Sequence, residues 1–217
     1  MVTKDKYGLL CCFLSYLCYY YGEFHCSPKH SHHHKMTPYL NLSSFAGGGK
    51  TTVAKLLIAN YSCVVIPKIT TRSRRKTEEI PEYIYVSQEE FVYRERKGHF
   101  LSVTRNGDFF HAIPCIEYWP VVPAGTELIL SLFGSESRIV QRQVPHMKLC
   151  FISCRNKHLL YERLLHRCEI DGGNFKEKWV KNERYFATAI EDQYDFVVYN
   201  DTTPEECVEQ IRKLIKR

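Results

Sequence analysis

The 217-residue sequence lacks a C-x-x-C pair, a dense basic run and an apolar stretch of bilayer length. Its ten cysteines are scattered, which favours the reduced thiols of a cytoplasmic protein over a disulfide framework. The net charge of +6 is not clustered enough to indicate nucleic-acid binding. Because the apolar run of residues 9–21 is shorter than a membrane helix needs, we expect no membrane association.

The first 35 residues differ in composition from the rest, since they contain four of the ten cysteines and five of the ten histidines. Lysines before the apolar run are compatible with a signal peptide, and the histidines with Cys26 are compatible with a zinc site. There is, however, no clear cleavage site and no closed zinc spacing. We favour a poorly ordered extension over residues 1–35, with the working protein beginning near Met36 and residues 36–217 forming one domain.

A glycine-rich segment followed by lysine and threonine is the strongest motif in the chain. It consists of Gly47, Gly48, Gly49, Lys50, Thr51 and Thr52, and it matches most of the ATP-binding pattern G-x-x-x-x-G-K-[ST]. In such a loop, backbone N–H groups enclose a polyphosphate, the lysine adds a charge and the Thr51 hydroxyl binds Mg²⁺. Ser44 replaces the first glycine of the pattern, and we expect it to strain or reshape the entry to the loop.

Strand-like and helical patterns alternate along most of the chain. Apolar runs predict buried strands at 38–43, 63–69, 127–133, 148–153 and 195–199. Amphipathic segments predict helices at 51–60, 156–168, 175–190 and from 203 onward. This order predicts an α/β fold of three layers, α/β/α, with a parallel central sheet of the P-loop NTPase kind.

Residues 71–113 interrupt this alternation. Ser87 and Glu90 form a capping box for a helix that extends to about Arg96. Two short strands are joined across Asn106-Gly107, which is a strong hairpin signal. We therefore predict a small antiparallel lobe inserted into the parallel architecture.

Four further motifs carry a resemblance to a known family. They are ITTRSRR at Ile69–Arg75, EYIYVSQEEF at Glu82–Phe91, the pair Arg163 and Arg167, and DFVVYND at Asp195–Asp201. In order and spacing they resemble the motifs of the guanylate kinase family over roughly residues 38–215. The resemblance implies a cytoplasmic, ATP- and Mg²⁺-dependent nucleoside monophosphate kinase. It also implies an acceptor-binding lobe at 71–113 and a helical lid at 165–180.

The resemblance assigns roles on the donor side and in the lid. Lys50 is expected to contact the phosphates of ATP, and Asn200 to lie near its adenine. Arg167 and Lys178 are expected to neutralise charge on the transferred phosphoryl group, although a lysine lacks the guanidinium fork of an arginine. Arg163, one helical turn before Arg167, is expected to be structural and to form a salt bridge.

On the acceptor side, Arg72, Arg75 and Tyr83 match the family positions that hold the acceptor phosphate. The residue types suit this task, because a guanidinium binds a phosphate through two hydrogen bonds and a phenol adds a neutral donor. The expected partner is therefore a small phosphorylated molecule.

The chain departs from the family at the positions that read guanine. Where the family has acidic residues, this sequence has Ser102, Ser131 and Phe133, although guanine N–H groups need an acceptor such as a carboxylate. Glu136 is a candidate for the lost carboxylate on the Mg²⁺ side. The segment 101–110 is more similar to ribose 1,5-bisphosphate phosphokinase. Three interpretations stay open: a nucleoside monophosphate kinase, a ribose phosphate kinase and an inactive binding module.

Overall fold

A computed structural model describes residues 39–76, 82–120, 122–123, 125–132, 135–188 and 193–215. The signal-peptide, zinc-site and extension interpretations of residues 1–35 fall outside this part of the chain. Within it, no helix combines the length and apolar character needed to cross a bilayer.

The described residues form nine strands and six α-helices. In chain order they are β1 (Tyr39–Ser44), α1 (Lys50–Asn60), β2 (Cys63–Val65), β3 (Lys68–Thr70), β4 (Tyr83–Tyr85), α2 (Gln88–Arg96), β5 (Phe100–Asn106), β6 (Phe109–Pro114), β7 (Glu127–Leu130), α3 (Ser135–Gln143), β8 (Lys148–Ser153), α4 (Lys157–Asp171), α5 (Phe175–Ala187), β9 (Phe196–Tyr199) and α6 (Pro204–Ile215). This alternation confirms the predicted α/β class.

Five strands form a parallel sheet in the order β2-β7-β1-β8-β9. Neighbouring residues of β1 serve opposite faces. Tyr39 packs into the layer that includes α3 and α4, whereas Leu40 and Leu42 pack into the layer of α1 and α6. Helices cover both faces of the sheet, which explains why its strands are continuous apolar runs. The predicted three layers are therefore confirmed. The carboxyl ends of the strands share one edge, where open parallel sheets bind their ligands.

The single strand predicted over 63–69 is wrong, because the structure divides it into β2 and β3. Ile66 still donates its backbone N–H to the carbonyl of Ile129, at 2.8 Å, and so continues the parallel sheet for one residue. Pro67 has no N–H with which to extend the ladder. The chain leaves the sheet there, and Lys68 begins a strand of a second sheet.

The second sheet has the strand order β4-β3-β6-β5 and forms the lobe. Strand β6 is antiparallel to β3 and β5, whereas β3 and β4 are parallel, so the lobe is mixed rather than antiparallel as predicted. About a dozen residues separate β3 from β4, which is enough for the crossover that a parallel pair requires. The predicted hairpin is confirmed, with Gly107 at φ +56° in the turn between β5 and β6.

Helix α2 covers the lobe sheet. Its predicted cap is present, because the Ser87 hydroxyl accepts a hydrogen bond from the Glu90 N–H at 3.2 Å. Phe91 is fully buried, and its ring centroid lies 4.9 Å from that of Phe100 and 5.4 Å from that of Phe110. The lobe therefore has a small core of its own, beside the two that flank the parallel sheet.

Helices α4 and α5 contain the segment predicted as the lid. Helix α4 is capped by Gly172, whose φ of +69° is the left-handed conformation that glycine adopts readily at a helix end. The Tyr161 ring lies 4.7 Å from that of Phe175 and 5.1 Å from that of Trp179. These ring contacts hold the two helices against each other. They therefore fix the position of α4 and α5 where both helices border an open cleft of the protein.

Candidate active site

The glycine-rich loop connects the carboxyl end of β1 to the first turn of α1. Gly47 and Gly49 have φ values of +88° and +90°, a region that side chains rarely tolerate. A Cβ on Gly49 would lie 2.2 Å from Nδ2 of Asn200, so this position has no room for one. The loop closes tightly, because the Gly48 N–H donates to the carbonyl of Phe45 at 2.9 Å. This strand–loop–helix conformation is the one a phosphate-binding loop requires.

Ser44 does not disturb the entry to the loop, contrary to expectation. It is the last residue of β1 and pairs in register with Ile152 of β8. Its hydroxyl donates to the carbonyl of Phe45 at 3.0 Å. A residue in an extended strand needs no glycine, because every residue type adopts the backbone angles of a strand.

Two buried asparagines form hydrogen bonds with the backbone of the loop. The Asn200 side chain, at the end of β9, donates from Nδ2 to the carbonyl of Gly48 at 3.0 Å. Its Oδ1 is buried and has no hydrogen-bond partner. Asn182 of α5 accepts from the N–H of Ala46 at 3.0 Å and donates to its carbonyl at 2.9 Å. The amide of Asn200, expected near adenine, is thus engaged with the loop itself.

Lys50, the first residue of α1, lines the cleft at the end of the loop. Its Nζ donates to the hydroxyl of Ser131, which follows β7. Burial lowers the pKa of Lys50, while Glu82 acts in the opposite direction. The next residue, Thr51, also lines the cleft.

Mg²⁺ takes oxygen ligands and usually shares them with substrate phosphates. The Thr51 hydroxyl is such an oxygen and borders the same cleft as the loop. No group of three histidine, cysteine, aspartate or glutamate side chains in the described part of the chain could hold a metal by itself. The residues therefore fit a cation that arrives with a polyphosphate and do not form a separate metal cage.

The acceptor residues predicted from the sequence come together beside the lobe sheet. The Arg72 guanidinium lies 5.1 Å from the centroid of the Tyr83 ring and 6.0 Å from that of Tyr85. Arg75 and Tyr83 both line the cleft that contains the loop. Lys68 lies on the same ring, with Nζ 4.9 Å from the centroid.

The lid residues predicted from the sequence also border the cleft. Arg167 lies with Nε 3.5 Å from a carboxylate oxygen of Asp171, and Lys178 with Nζ 3.5 Å from Sγ of Cys168. Arg163 donates to the backbone carbonyl of Asn200 at 2.8 Å. Its observed contact is therefore a bond to a carbonyl and not the expected salt bridge.

Apart from Arg72, which is not among the residues that line it, the predicted donor, acceptor and lid residues border one open cleft with a volume of about 1040 Å³. Among the described residues that line it, eight are cationic and two are carboxylates. The cations are Lys50, Lys55, Lys68, Arg75, Arg163, Arg167, Lys178 and Lys181, and the carboxylates are Glu82 and Glu136. Such an excess of positive charge suits a ligand, or a pair of ligands, that carries several phosphates.

The positions expected to read guanine have other contacts. Ser131 is engaged by two lysines, through its hydroxyl and its carbonyl. Ser102 lies on β5, and Phe133 falls outside the described residues. Glu136, in the first turn of α3, accepts a hydrogen bond from the Thr104 hydroxyl of β5 and lines the cleft. A carboxylate is thus present on this side of the cleft, contributed by α3.

Sequence reasoning missed several residues of the cleft, among them Lys68, Thr104 and Asn182. Lys68 stands in an otherwise apolar and β-branched run, and a lone cation in a predicted buried strand is the signal that could have found it. Asn182 lies 136 residues from the loop residue it binds, so no local sequence pattern predicts this contact.

Comparison with known proteins gives a consistent result. The guanylate kinase family model matches residues 35–217. The guanylate kinase of Onion yellows phytoplasma (strain OY-M) is 27% identical over 164 residues, which cover 74% of this chain and 76% of that protein. That of Wolbachia pipientis wMel is 26% identical over 184 residues, covering 82% and 89%. The solved guanylate kinase structure from Anaplasma phagocytophilum superposes with a TM-score of 0.61 at 22% identity, covering 83% of this chain and 85% of that one. The likeness to that structure supports the P-loop fold.

Proposed function

The chain belongs to the guanylate kinase family, and from this premise we propose that it transfers the γ-phosphoryl group of ATP to a nucleoside monophosphate, with GMP as the first acceptor to test. One observation carries the proposal. A single cleft is lined by the loop lysine Lys50, by Arg75 and Tyr83 of the acceptor side, and by Arg167 of α4. Phosphoryl transfer needs little more than positioning and neutralisation of charge, and these residues supply both.

The donor would bind at residues 47–52. The backbone N–H groups of the loop and the N-terminus of α1 would receive the phosphates of ATP, and Lys50 would add a positive charge. Helix α1 has no acidic residue in its first turn, so nothing there repels an anion. Thr51 would hold Mg²⁺, which offsets negative charge on the phosphates when it is bound.

The acceptor phosphate would bind at Arg72, Arg75 and Tyr83. Stacking of the Arg72 guanidinium on the Tyr83 ring orders this cation before any ligand arrives, which reduces the entropy lost on binding. Arg167 and Lys178, from α4 and α5, would then neutralise charge that develops as the phosphoryl group moves.

Activity can be tested directly with purified full-length protein. A coupled assay of ADP release would use Mg²⁺-ATP with GMP, dGMP, AMP, UMP and ribose 1,5-bisphosphate in separate reactions. We expect turnover with GMP. If the site reads guanine, kcat/KM with AMP should be at least about 100-fold lower, since a base-reading site rejects an analogue whose hydrogen bonds do not match. Equal use of GMP and AMP would show that the base is not read. Turnover with ribose 1,5-bisphosphate alone would establish the sugar-phosphate kinase instead. Absence of both turnover and ATP binding would rule out the enzyme and leave the binding module as the remaining interpretation.

The compartment is part of the proposal, and we assign the reaction to the cytoplasm. The six described cysteines are all free thiols, which supports a reducing environment. The small-molecule substrates proposed above require no membrane partner.

A further inference from the structure

Lys68 occupies the junction between the lobe and the parallel sheet. It begins β3 and is the register partner of Tyr83 on β4, so the two side chains lie on the same face of the lobe sheet. Its Nζ donates to the carbonyl of Ser131, after β7 of the central sheet, at 2.6 Å. Lys68 therefore reaches from the acceptor side of the cleft to the donor side.

Ser131 brings two ammonium groups close together. Its hydroxyl accepts from Lys50 of the phosphate loop, and its carbonyl accepts from Lys68. Two like charges beside one residue are unfavourable unless negative charge lies between or beside them. Glu82 and Glu136 supply part of that charge from a distance, and a phosphate bound in the cleft would supply it in direct contact with the two ammonium groups.

The nearby carboxylates do not account for Lys68 as one half of a salt bridge. Glu82 is 6% exposed, lines the same cleft and has one oxygen without a hydrogen-bond partner. Glu136 is hydrogen-bonded to Thr104. Both act on Lys68 at longer range. Although burial lowers the pKa of Lys68, Tyr83 and these two carboxylates raise it above its ordinary value, so the side chain is charged at neutral pH.

We propose that Lys68 is a phosphate-binding residue of the transfer site, which contacts oxygens of the acceptor phosphate between Lys50 and Tyr83. This inference rests on the proposed function. In the transfer step an oxygen of the acceptor monophosphate forms a bond to the γ-phosphorus of ATP. The bond from that phosphorus to the β,γ-bridging oxygen breaks, and its electron pair stays on ADP. The total charge does not change, so Lys68 acts as a fixed cation and exchanges no proton.

The competing explanation is a structural one, in which Lys68 only ties the lobe to the central sheet. The two explanations differ in what a substitution changes. A tie between lobe and sheet contributes to stability and leaves the turnover of the folded protein unaltered. A phosphate ligand contributes to acceptor binding and to the rate of transfer, and its loss leaves the binding of ATP to the glycine-rich loop nearly unchanged.

The test compares Lys68→Met, Lys68→Arg and the surface control Lys97→Met in the full-length protein. For Lys68→Met we expect kcat/KM for GMP to fall about 100-fold, as for other preorganised charge-stabilising groups. The Kd of an unhydrolysable ATP analogue should change less than about threefold, since that ligand binds chiefly to the loop. Lys68→Arg should recover at least part of the loss, because it keeps the charge. Lys97→Met should match the parent.

Inorganic phosphate binding gives a readout that does not depend on turnover. Titration calorimetry should show binding to the parent and at least about tenfold weaker binding to Lys68→Met, or to Lys68→Gln if the methionine variant does not fold. A protein that binds phosphate through Lys68 but phosphorylates none of the acceptors would contradict the proposed function and leave the Lys68 inference standing. Equal phosphate affinity in parent and variant, or unchanged kcat/KM, would overturn the inference.

Discussion

The side chain of Asn182 binds both backbone polar groups of Ala46. Its Oδ1 accepts from the Ala46 N–H at 3.0 Å, and its Nδ2 donates to the Ala46 carbonyl at 2.9 Å. Asn182 is 1% exposed and belongs to α5, so this pair of hydrogen bonds ties α5 directly to the phosphate loop. Helix α5 is therefore fixed to the phosphate loop at this point, through both backbone polar groups of Ala46.

Asn182→Ala should destabilise the conformation of the phosphate loop without removing any predicted contact to a phosphate. It leaves the Ala46 N–H and carbonyl without their partner, and we expect a loss of about 1–3 kcal/mol in the free energy of unfolding. Asn182→Asp can still accept from the N–H but cannot donate, so its loss should be intermediate unless charge repulsion dominates. Urea unfolding, together with the Kd of an unhydrolysable ATP analogue, checks both variants. Equal stability of parent and Asn182→Ala would show that the pair does not support the loop.

Lys50→Met should remove turnover while keeping the fold. We expect kcat to fall about 10²–10³-fold, because a cation beside the transferring phosphate is lost. The free energy of unfolding, in contrast, should not fall. The folded protein binds the Lys50 proton less tightly than the unfolded chain does, so this charge costs the folded state at neutral pH, and the cost disappears as pH rises above the ordinary lysine pKa.

The measurement for Lys50→Met is urea unfolding at neutral and alkaline pH, with coupled ADP release for activity. The free energy of unfolding should be unchanged or higher at neutral pH, and any gain should shrink toward alkaline pH. Lys148→Met, at the exposed first residue of β8, is the matched control and should alter neither quantity. Full activity of Lys50→Met would exclude the loop as the donor site.

Ser44→Gly should not increase turnover, because the structure shows no distortion of the phosphate loop at Ser44. Ser44 continues β1, and its replacement by glycine in a strand should cost about 0.5–1 kcal/mol of stability. We expect turnover to stay within about threefold of the parent, since the glycines with positive φ, Gly47 and Gly49, are already present. A rise in kcat of an order of magnitude would show instead that serine limits the phosphate loop.

The sequence predicted best those features that depend on a few residues close together in the chain. The phosphate loop follows from glycines that alone tolerate its backbone, and the hairpin follows from Gly107. Strand β8 was predicted with its observed bounds, Lys148–Ser153, because both of its faces are covered and its run is uniformly apolar. In each case the local chemistry admits one conformation.

The features that the sequence did not reveal depend on residues far apart. Strands β2 and β3 are both buried, so their sequences show the same apolar pattern. They are distinguished only by their partners, since β2 pairs with β7 and β3, after Pro67, pairs with β4. Asn182 has no local signal for the cleft, because it acts through the phosphate loop. Lys68 is a lone cation in an apolar run, but that local signal does not identify its partner, the residue after β7. The periodicity of apolar residues predicts that a side chain is buried, but it does not identify the residues that bury it.

Asp201 provides a prediction about pH. Its Oδ1 accepts from the N–H of Arg155 at 2.8 Å and from that of Asn156 at 3.4 Å, and the Arg155 guanidinium lies 3.7 Å from Oδ2. Although burial raises the pKa of Asp201, hydrogen bonds from the Cys154 thiol and these N–H groups, with the charge of Arg155, hold it below its ordinary value. The carboxylate therefore binds the entrance to α4 in its charged form.

A group whose folded pKa is lowered stabilises the protein above its unfolded pKa, and this contribution disappears as pH falls through the folded pKa. Asp201→Asn should therefore lower the free energy of unfolding by about 0.5–1 kcal/mol at neutral pH, a modest figure because the site is partly screened by solvent. The difference from the parent should hold down to about pH 5 and shrink below the ordinary aspartate value of about 4. Urea unfolding at a series of pH values measures it. A difference that stays constant into acid would mean that the neutral hydrogen bonds, and not the charge, stabilise this end of α4.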